Sequence, residues 1–326
     1  MAASASGFLG AVATDLLADV LFAAALAGAA LWLTHRARRR RVRRFFGVQP
    51  SAGSISVYLS SIVVRKRGTA GIGPIVEGFH GPAITEVEYR HALGFAATVE
   101  TKPFIRLLRA VLPDELVGAV EPTVCEIRLS PHLPEPSHPA GRHGDHGPDV
   151  DDALGKGCVV LVGSPVYNLL THVALDHPAA DDGATSRFRF VRIGDTPQTA
   201  RRGVEVLDMY PGENETFLRT DMFGLDQPGP VSEYFVLEKL ITVHGRTVFV
   251  CAGTSSSGTA AALDRLTDWR KLEARFGAGG FGLLYEQRLA GPEGREADPR
   301  PDRIRELFSY PAEPGAVPAR RRRTRE

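Results

Sequence analysis

The chain has 326 residues, 43% of them hydrophobic and 24% charged, which is ordinary for a globular protein and enough for one large domain or two small ones. Its net charge of +1 conceals seven arginines in Arg36–Arg44 and five in Arg320–Arg325, and the remainder carries about −11. An acidic body of that kind is a poor general nucleic-acid binder, and no specific nucleic-acid partner is predicted.

The first 34 residues form an N-terminal segment containing an apolar span. It is uninterrupted from Val20 to Leu33, and with Leu16–Asp19 it reaches the roughly 17–25 residues that cross a bilayer. No Lys or Arg precedes the apolar core, the reverse of a cleaved secretory signal. The arginine-rich segment, residues 35–46, follows directly. The predicted arrangement is therefore a single-pass anchor in the cell membrane, with the N-terminus outside and the main domain cytoplasmic. Residues 16–34 contact the lipid bilayer, and Arg36–Arg44 contact anionic lipid headgroups. A buried or surface-lying helix is the alternative, and a plain stop-transfer flank would also account for the arginines.

Residues 47–291 read as a cytoplasmic α/β domain. "SISVYLSSIVV" is a first strand, "TEVEYRHALGFAATVE" has helical apolar spacing, "FIRLLRAVL" is a second helical segment and "TVCEIRLSP" another strand. Residues 131–156 are rich in Pro, Gly, His and Asp and read as a disordered insert. His132, His138, His143 and His146 with Asp145 and Asp149 are too irregularly spaced for a metal site, and no metal is predicted. "CVVLVGSPVYNLLTHVAL" gives a buried strand over Cys158–Val162, a turn at Gly163-Ser164-Pro165 and a helix from about Val166. "SRFRFVRI", "RGVEVLDMY" and "YFVLEKLITV" are β-rich. "TVFVCAGTSSSGTAAAL" is a strand, a glycine loop and the start of a long helix that continues through "DRLTDWRKLEARF". "GGFGLLYEQRL" is a last strand. Residues 292–326 read as a charged Pro/Arg-rich tail with one short helix, "DRIRELF". Strand–loop–helix units at both ends of a β meander predict a Rossmann-like fold, with a mostly parallel sheet and flanking helices. Cys125, Cys158 and Cys251 lie in apolar strand-like runs without a CxxC, as expected of buried thiols in a reducing compartment.

Two turns carry the functional expectation. Loops at the carboxyl ends of neighbouring parallel strands face one crevice. Gly253 and Gly258 allow close backbone approach, and the following helix N-terminus favours an anion. Ser255, Ser256, Ser257 and Thr259 add hydroxyls, while Gly163, Ser164, Asn168 and Thr171 supply the other wall. Thr259 stands where a Walker lysine would, so nucleoside triphosphate binding is not indicated. The competing explanation is close helix–strand packing with a serine cap.

These residues are similar to an uncharacterised prokaryotic Rossmann-like family with a Gly-x-Pro-x-x-Asn-x-x-Thr turn and a Gly-x-x-x-x-Gly-Thr turn. Gly163, Pro165, Asn168 and Thr171 match the first, and Gly253, Gly258 and Thr259 match the second. Ser164 departs from the family's double glycine. The resemblance covers about Gly157 to Leu289 and implies fold and pocket, with no established reaction.

Ser164 and Cys251 are the possible nucleophiles and His172 and His244 the possible bases, but no complete catalytic constellation is visible. The carboxylate pairs Glu86/Glu88 and Asp181/Asp182 read as solvated faces. The leading expectation is a membrane-tethered sensor or regulatory module binding a small phosphorylated or nucleotide-like ligand. A hydrolase acting on such a ligand and a non-catalytic protein-binding scaffold are the alternatives.

Overall fold

The computed structural model describes residues 3–48, 54–60, 62–63, 82–83, 85–100, 123–130, 157–165, 168–176, 186–193, 201–210, 213–219, 231–242, 246–289 and 304–311. The helix expected at 104–112, the insert at 131–156, His244, Asp181, Asp182 and the second arginine run lie outside the described residues.

Helix α1 runs from Ala3 to Phe46 without a break, so the apolar span and the arginine segment are one element. Its part Leu16–Phe46 is long and apolar enough to cross a membrane. Leu16, Leu17, Val20, Leu21 and Phe22 are exposed, which sets aside the buried-helix alternative. The other end of α1 belongs to the domain, where Val42, Phe45 and Phe46 are completely buried. Gly47, at φ +65°, stops the helix, and the Val48 amide reaches back to the Arg43 carbonyl at 3.0 Å in a Schellman cap.

Strands β1 (Ser54–Leu59), β2 (Ile62–Val63) and β3 (Pro82–Ala83) precede α2 (Glu86–Val99). Then follow β4 (Val124–Leu129), β5 (Cys158–Val162), α3 (Leu169–Asp176), β6 (Phe188–Ile193), β7 (Arg201–Tyr210) and β8 (Glu213–Leu218). The chain continues through β9 (Val231–Ile241), β10 (Thr247–Gly253), α4 (Ser256–Thr267), α5 (Trp269–Phe276), β11 (Phe281–Leu289) and β12 (Ile304–Tyr310).

The main sheet has seven strands in the order β12-β11-β9-β10-β5-β1-β4. β4, β1, β5 and β10 are mutually parallel, and every pairing beyond β10 is antiparallel. The expectation of a mostly parallel sheet therefore holds for one half only. The cause is local: only residues 242–246 join β9 to β10, too few for a parallel crossover. The short helix expected in the tail is instead edge strand β12, fixed by pairing with β11 and by Phe308 and Tyr310 packing on Phe188. The single long helix expected after Gly253 is divided at Asp268 into α4 and α5.

Both faces of the sheet are covered, and this explains the unbroken apolar runs "CVVLV" and "TVFVCAG". Val57, Val160, Val162, Phe249 and Cys251 face the end of α1 together with α2, α4 and α5. Val159, Leu161, Val248 and Val250 face α3. A three-stranded sheet, β6-β7-β8, packs Phe188, Val204, Val206 and Phe217 on Val236 and Leu284. Cys158 and Cys251 are completely buried free thiols, and burial pushes the Cys125 thiol up to about 12.

Candidate functional site

The parallel half of the sheet determines where a cleft opens. The chain leaves β1 and β10 toward α2 and α4 on one face, and leaves β5 toward α3 on the other. A crevice therefore forms beyond the carboxyl ends of these strands, the usual ligand position in open α/β sheets. It measures about 300 Å³ and is lined by Ser60, Ser164, Gly253, Thr254, Ser255, Ser256 and Thr259, by Thr85 and Glu88 of α2, and by Arg202 and Arg219.

The first turn is built for shape. Gly163 has φ +124°, a conformation that disfavours a side chain, and a Cβ there would collide with the Ser60 hydroxyl. Asn168 is completely buried. Its amide nitrogen donates to the carbonyls of Tyr58 (3.2 Å) and Val162 (3.0 Å), while its oxygen accepts from Ser130 Oγ (2.8 Å) and the Thr171 amide (3.1 Å). Asn168 thus ties the ends of β1, β4 and β5 together, and Thr171 is buried behind it. Neither residue faces the cleft, contrary to the expectation that both offer groups to a ligand.

The second turn is also internally satisfied. Ser255 caps α4 by accepting the Gly258 amide at 3.1 Å, and its hydroxyl donates to Glu233 Oε2 at 2.6 Å. Ser257 donates to the same oxygen at 2.6 Å, and Arg219 lies 3.3 Å from the other oxygen. Glu233 is 1% exposed. The chain's own carboxylate therefore occupies the hydroxyls that an external anion was expected to meet. Thr259 Oγ1 accepts the Gly253 amide at 3.1 Å and donates to the Ser255 carbonyl at 3.0 Å. Gly253 and Gly258 touch face to face; a Cβ on Gly253 would lie 2.5 Å from the Gly258 carbonyl carbon. The glycine and threonine signature of this turn is a packing device.

Of the predicted residues, Ser164, Gly253, Ser255, Ser256 and Thr259 come together on the cleft wall, whereas Gly163, Asn168, Thr171 and Gly258 support it from behind. Ser257 opens toward a neighbouring groove that holds the His91–Asp264 pair. Cys251 is completely buried, and burial pushes its thiol far up, which removes it as a nucleophile. His172 does not line the cleft. Among the described residues, no three His, Cys, Asp or Glu side chains gather as a metal set.

The cleft also contains residues that the sequence reading missed. Glu86 is a solvated residue, 73% exposed, but Glu88 is 4% exposed and faces inward. Burial pushes its carboxyl up to about 7, against a hydrogen bond from Thr85 that lowers it. The signal was the Thr-x-x-Glu spacing of a capping box, since the Glu88 amide donates to Thr85 Oγ1 at 3.3 Å. Arg202 and Arg219 arrive from the small sheet, and no local pattern marks them. Comparison with protein-family models, curated proteins and solved structures gives no match.

Proposed function

We propose that this protein is a membrane-anchored module whose Rossmann-like domain lies in the cytoplasm and binds a small phosphorylated or nucleotide-like anion, as a sensor or regulator. One observation carries the reading: Arg202 and Arg219 line the same cleft as Ser164, Ser256 and the amino end of α4. Two guanidiniums, several hydroxyls and a helix N-terminus form an anion environment, and about 300 Å³ suits a phosphate with a short organic arm. The similarity of the two turns to a Rossmann-like family agrees with such a pocket. At the membrane side, Arg36 and Arg40 lie on the exposed surface of α1, available to anionic headgroups.

The scaffold reading has its own support, because Glu233 already satisfies the serine turn. Thermal unfolding of the full chain in lipid nanodiscs separates the two. Inorganic phosphate, sugar phosphates, mononucleotides and dinucleotides are screened against wild type and Arg202→Ala. A ligand at 100 times its Kd adds about 2.7 kcal/mol, and the shift should vanish in the variant. No shift with any compound leaves the scaffold; turnover of a bound compound makes the protein a hydrolase. For the orientation, Ser4→Cys should label from outside intact cells and Lys271→Cys, at a position 81% exposed, only after permeabilisation. The opposite pattern refutes it.

A further inference from the structure

The feature of the cleft with no structural explanation is Glu88. Its carboxyl is almost completely enclosed, yet Oε2 has no hydrogen-bond partner among the described residues. Buried polar atoms are nearly always partnered, and an orphaned carboxyl oxygen is among the costliest exceptions. Capping accounts for only part of it. Thr85 Oγ1 accepts the Glu88 amide, and the Thr85 side chain also hydrogen-bonds the Glu88 carboxyl, which still leaves Oε2 unpaired. Among the described residues burial is the largest influence on this carboxyl, and the Thr85 hydrogen bond opposes it. Arg202 and Arg219 line the same cavity, and Arg219 pairs with Glu233. The cavity thus presents a cationic wall on the small-sheet side and a solitary carboxyl on α2.

Resting on the anion-binding reading, we infer that Glu88 is a specificity residue. The occupant of the cleft joins an anionic group, held by Arg202 and Arg219, to a hydrogen-bond donor, hydroxyl or ammonium, that binds Glu88 Oε2. Such a molecule completes both halves of the site: its anion meets the guanidiniums, and its donor pairs with Glu88 Oε2. A plain alkyl phosphate satisfies only the first half and leaves the carboxyl as it was.

The test uses the full chain in nanodiscs and four probes: inorganic phosphate, propyl phosphate, glycerol 3-phosphate and phosphoethanolamine. Wild type should bind at least one of the last two about tenfold more tightly than propyl phosphate, the worth of one hydrogen bond to a charged group. Preference for glycerol 3-phosphate identifies a hydroxyl donor, and preference for phosphoethanolamine an ammonium. In Glu88→Met the preference should disappear while propyl phosphate still binds. The ligand-free variant should melt at least as high as wild type, because an unpartnered buried carboxyl has been removed.

Equal affinities in wild type, or a preference that survives in Glu88→Met, overturns the inference while leaving the anion site standing. A Glu88→Met chain that melts about 4 °C or more below wild type also overturns it, since Glu88 is then a structural cap. If no probe binds, including inorganic phosphate, the anion site itself fails and the inference falls with it.

Discussion

Deleting residues 1–46 should unfold the domain instead of releasing it. The last turns of α1 form part of the core: the Phe45 ring lies 5.5 Å from Phe249 and 6.2 Å from both Trp269 and Phe281. Phe46 lies 5.8 Å from Phe95 and 5.2 Å from Phe249. Burying a side chain of this size contributes about 1.5–3 kcal/mol, so Val42, Phe45 and Phe46 together supply roughly 5–9 kcal/mol. That is comparable to the 5–15 kcal/mol by which a whole domain is typically stable. Deletion also strips Arg41 and Arg44 from the buried carboxylate of Glu273, at 2.6 and 2.8 Å. Burial alone would raise this carboxyl, but the two arginines hold it below its ordinary value. The molecule provides its own reporter, because Trp32 and Trp269 are its only tryptophans and Trp269 is buried beside Phe45. Residues 47–326 should therefore show red-shifted, solvent-exposed Trp269 emission and no cooperative melt, while a full chain carrying Trp32→Phe keeps blue-shifted emission and melts cooperatively. Phe46→Ala in the full chain should cost about 3–5 kcal/mol. A truncated body that melts cooperatively within a few degrees of the full chain refutes the reasoning.

Asn168→Ala removes the side-chain partner of the Thr171 amide and one hydrogen bond each from the Ser130 hydroxyl and the Tyr58 and Val162 carbonyls, so it should destabilise by several kcal/mol in urea titration; a loss below about 1 kcal/mol contradicts the bonding described. Gly253→Ala drives a Cβ into backbone atoms, whereas a Cβ at Gly258 meets nothing closer than 3.4 Å; the first should lower the Tm by several degrees and Gly258→Ala should barely change it, and equal effects would dismiss the packing account. Glu238 is completely buried and accepts hydrogen bonds from Ser186, the Arg187 amide and Tyr310. Burial still pushes its carboxyl from 4.5 to about 7. The folded state thus keeps this proton longer than the unfolded state, and the contribution is full below pH 4.5 and declines as pH rises to 7, by roughly 3 kcal/mol. Glu88 acts in the same direction, so Glu238→Gln should remove only part of the fall in stability between pH 5 and 8; an unchanged slope counts against the burial of Glu238.

The fold was readable where burial writes itself into a single segment. β5 and β10 are covered on both faces, and their apolar runs announced them. The apolar span of α1 was equally plain. What escaped depended on partners distant in the chain. "DRIRELF" looks helical alone, and only the edge of β11 and the Phe188 side chain make it a strand. Phe45 and Phe46 end the arginine-rich segment and read as part of it, because nothing nearby in sequence reveals Phe249, Trp269 or Phe281. The two turns were placed correctly at the carboxyl ends of parallel strands, but their chemistry was not readable. The hydroxyls of Ser255 and Ser257 are answered by Glu233, which arrives from β9. Polar side chains do not state their partners in sequence, so a turn rich in serine and glycine looks the same whether it holds a ligand or the chain's own carboxylate.

This distinction bears on how the whole molecule is arranged. A Cβ on Gly47, just past α1, would strike Thr247 at the start of β10, whereas Gly253 at the end of β10 lines the cleft. Seven residues of strand, about 20 Å, separate the two. α2 runs between the same ends, with Thr85 and Glu88 at the cleft and the Thr98 carbonyl accepting a hydrogen bond from Arg38 at 2.5 Å. α4 begins at the cleft with Ser256, and α5 carries Glu273 to Arg41 and Arg44. The helix that can cross a membrane therefore enters the domain at the amino ends of the parallel strands, and the cleft opens at their carboxyl ends. The arginine run closest to the domain serves this joint first, because Arg41 and Arg44 are bound to Glu273. These contacts make the cleft and the anchor opposite ends of one packed layer, with the cleft directed away from α1.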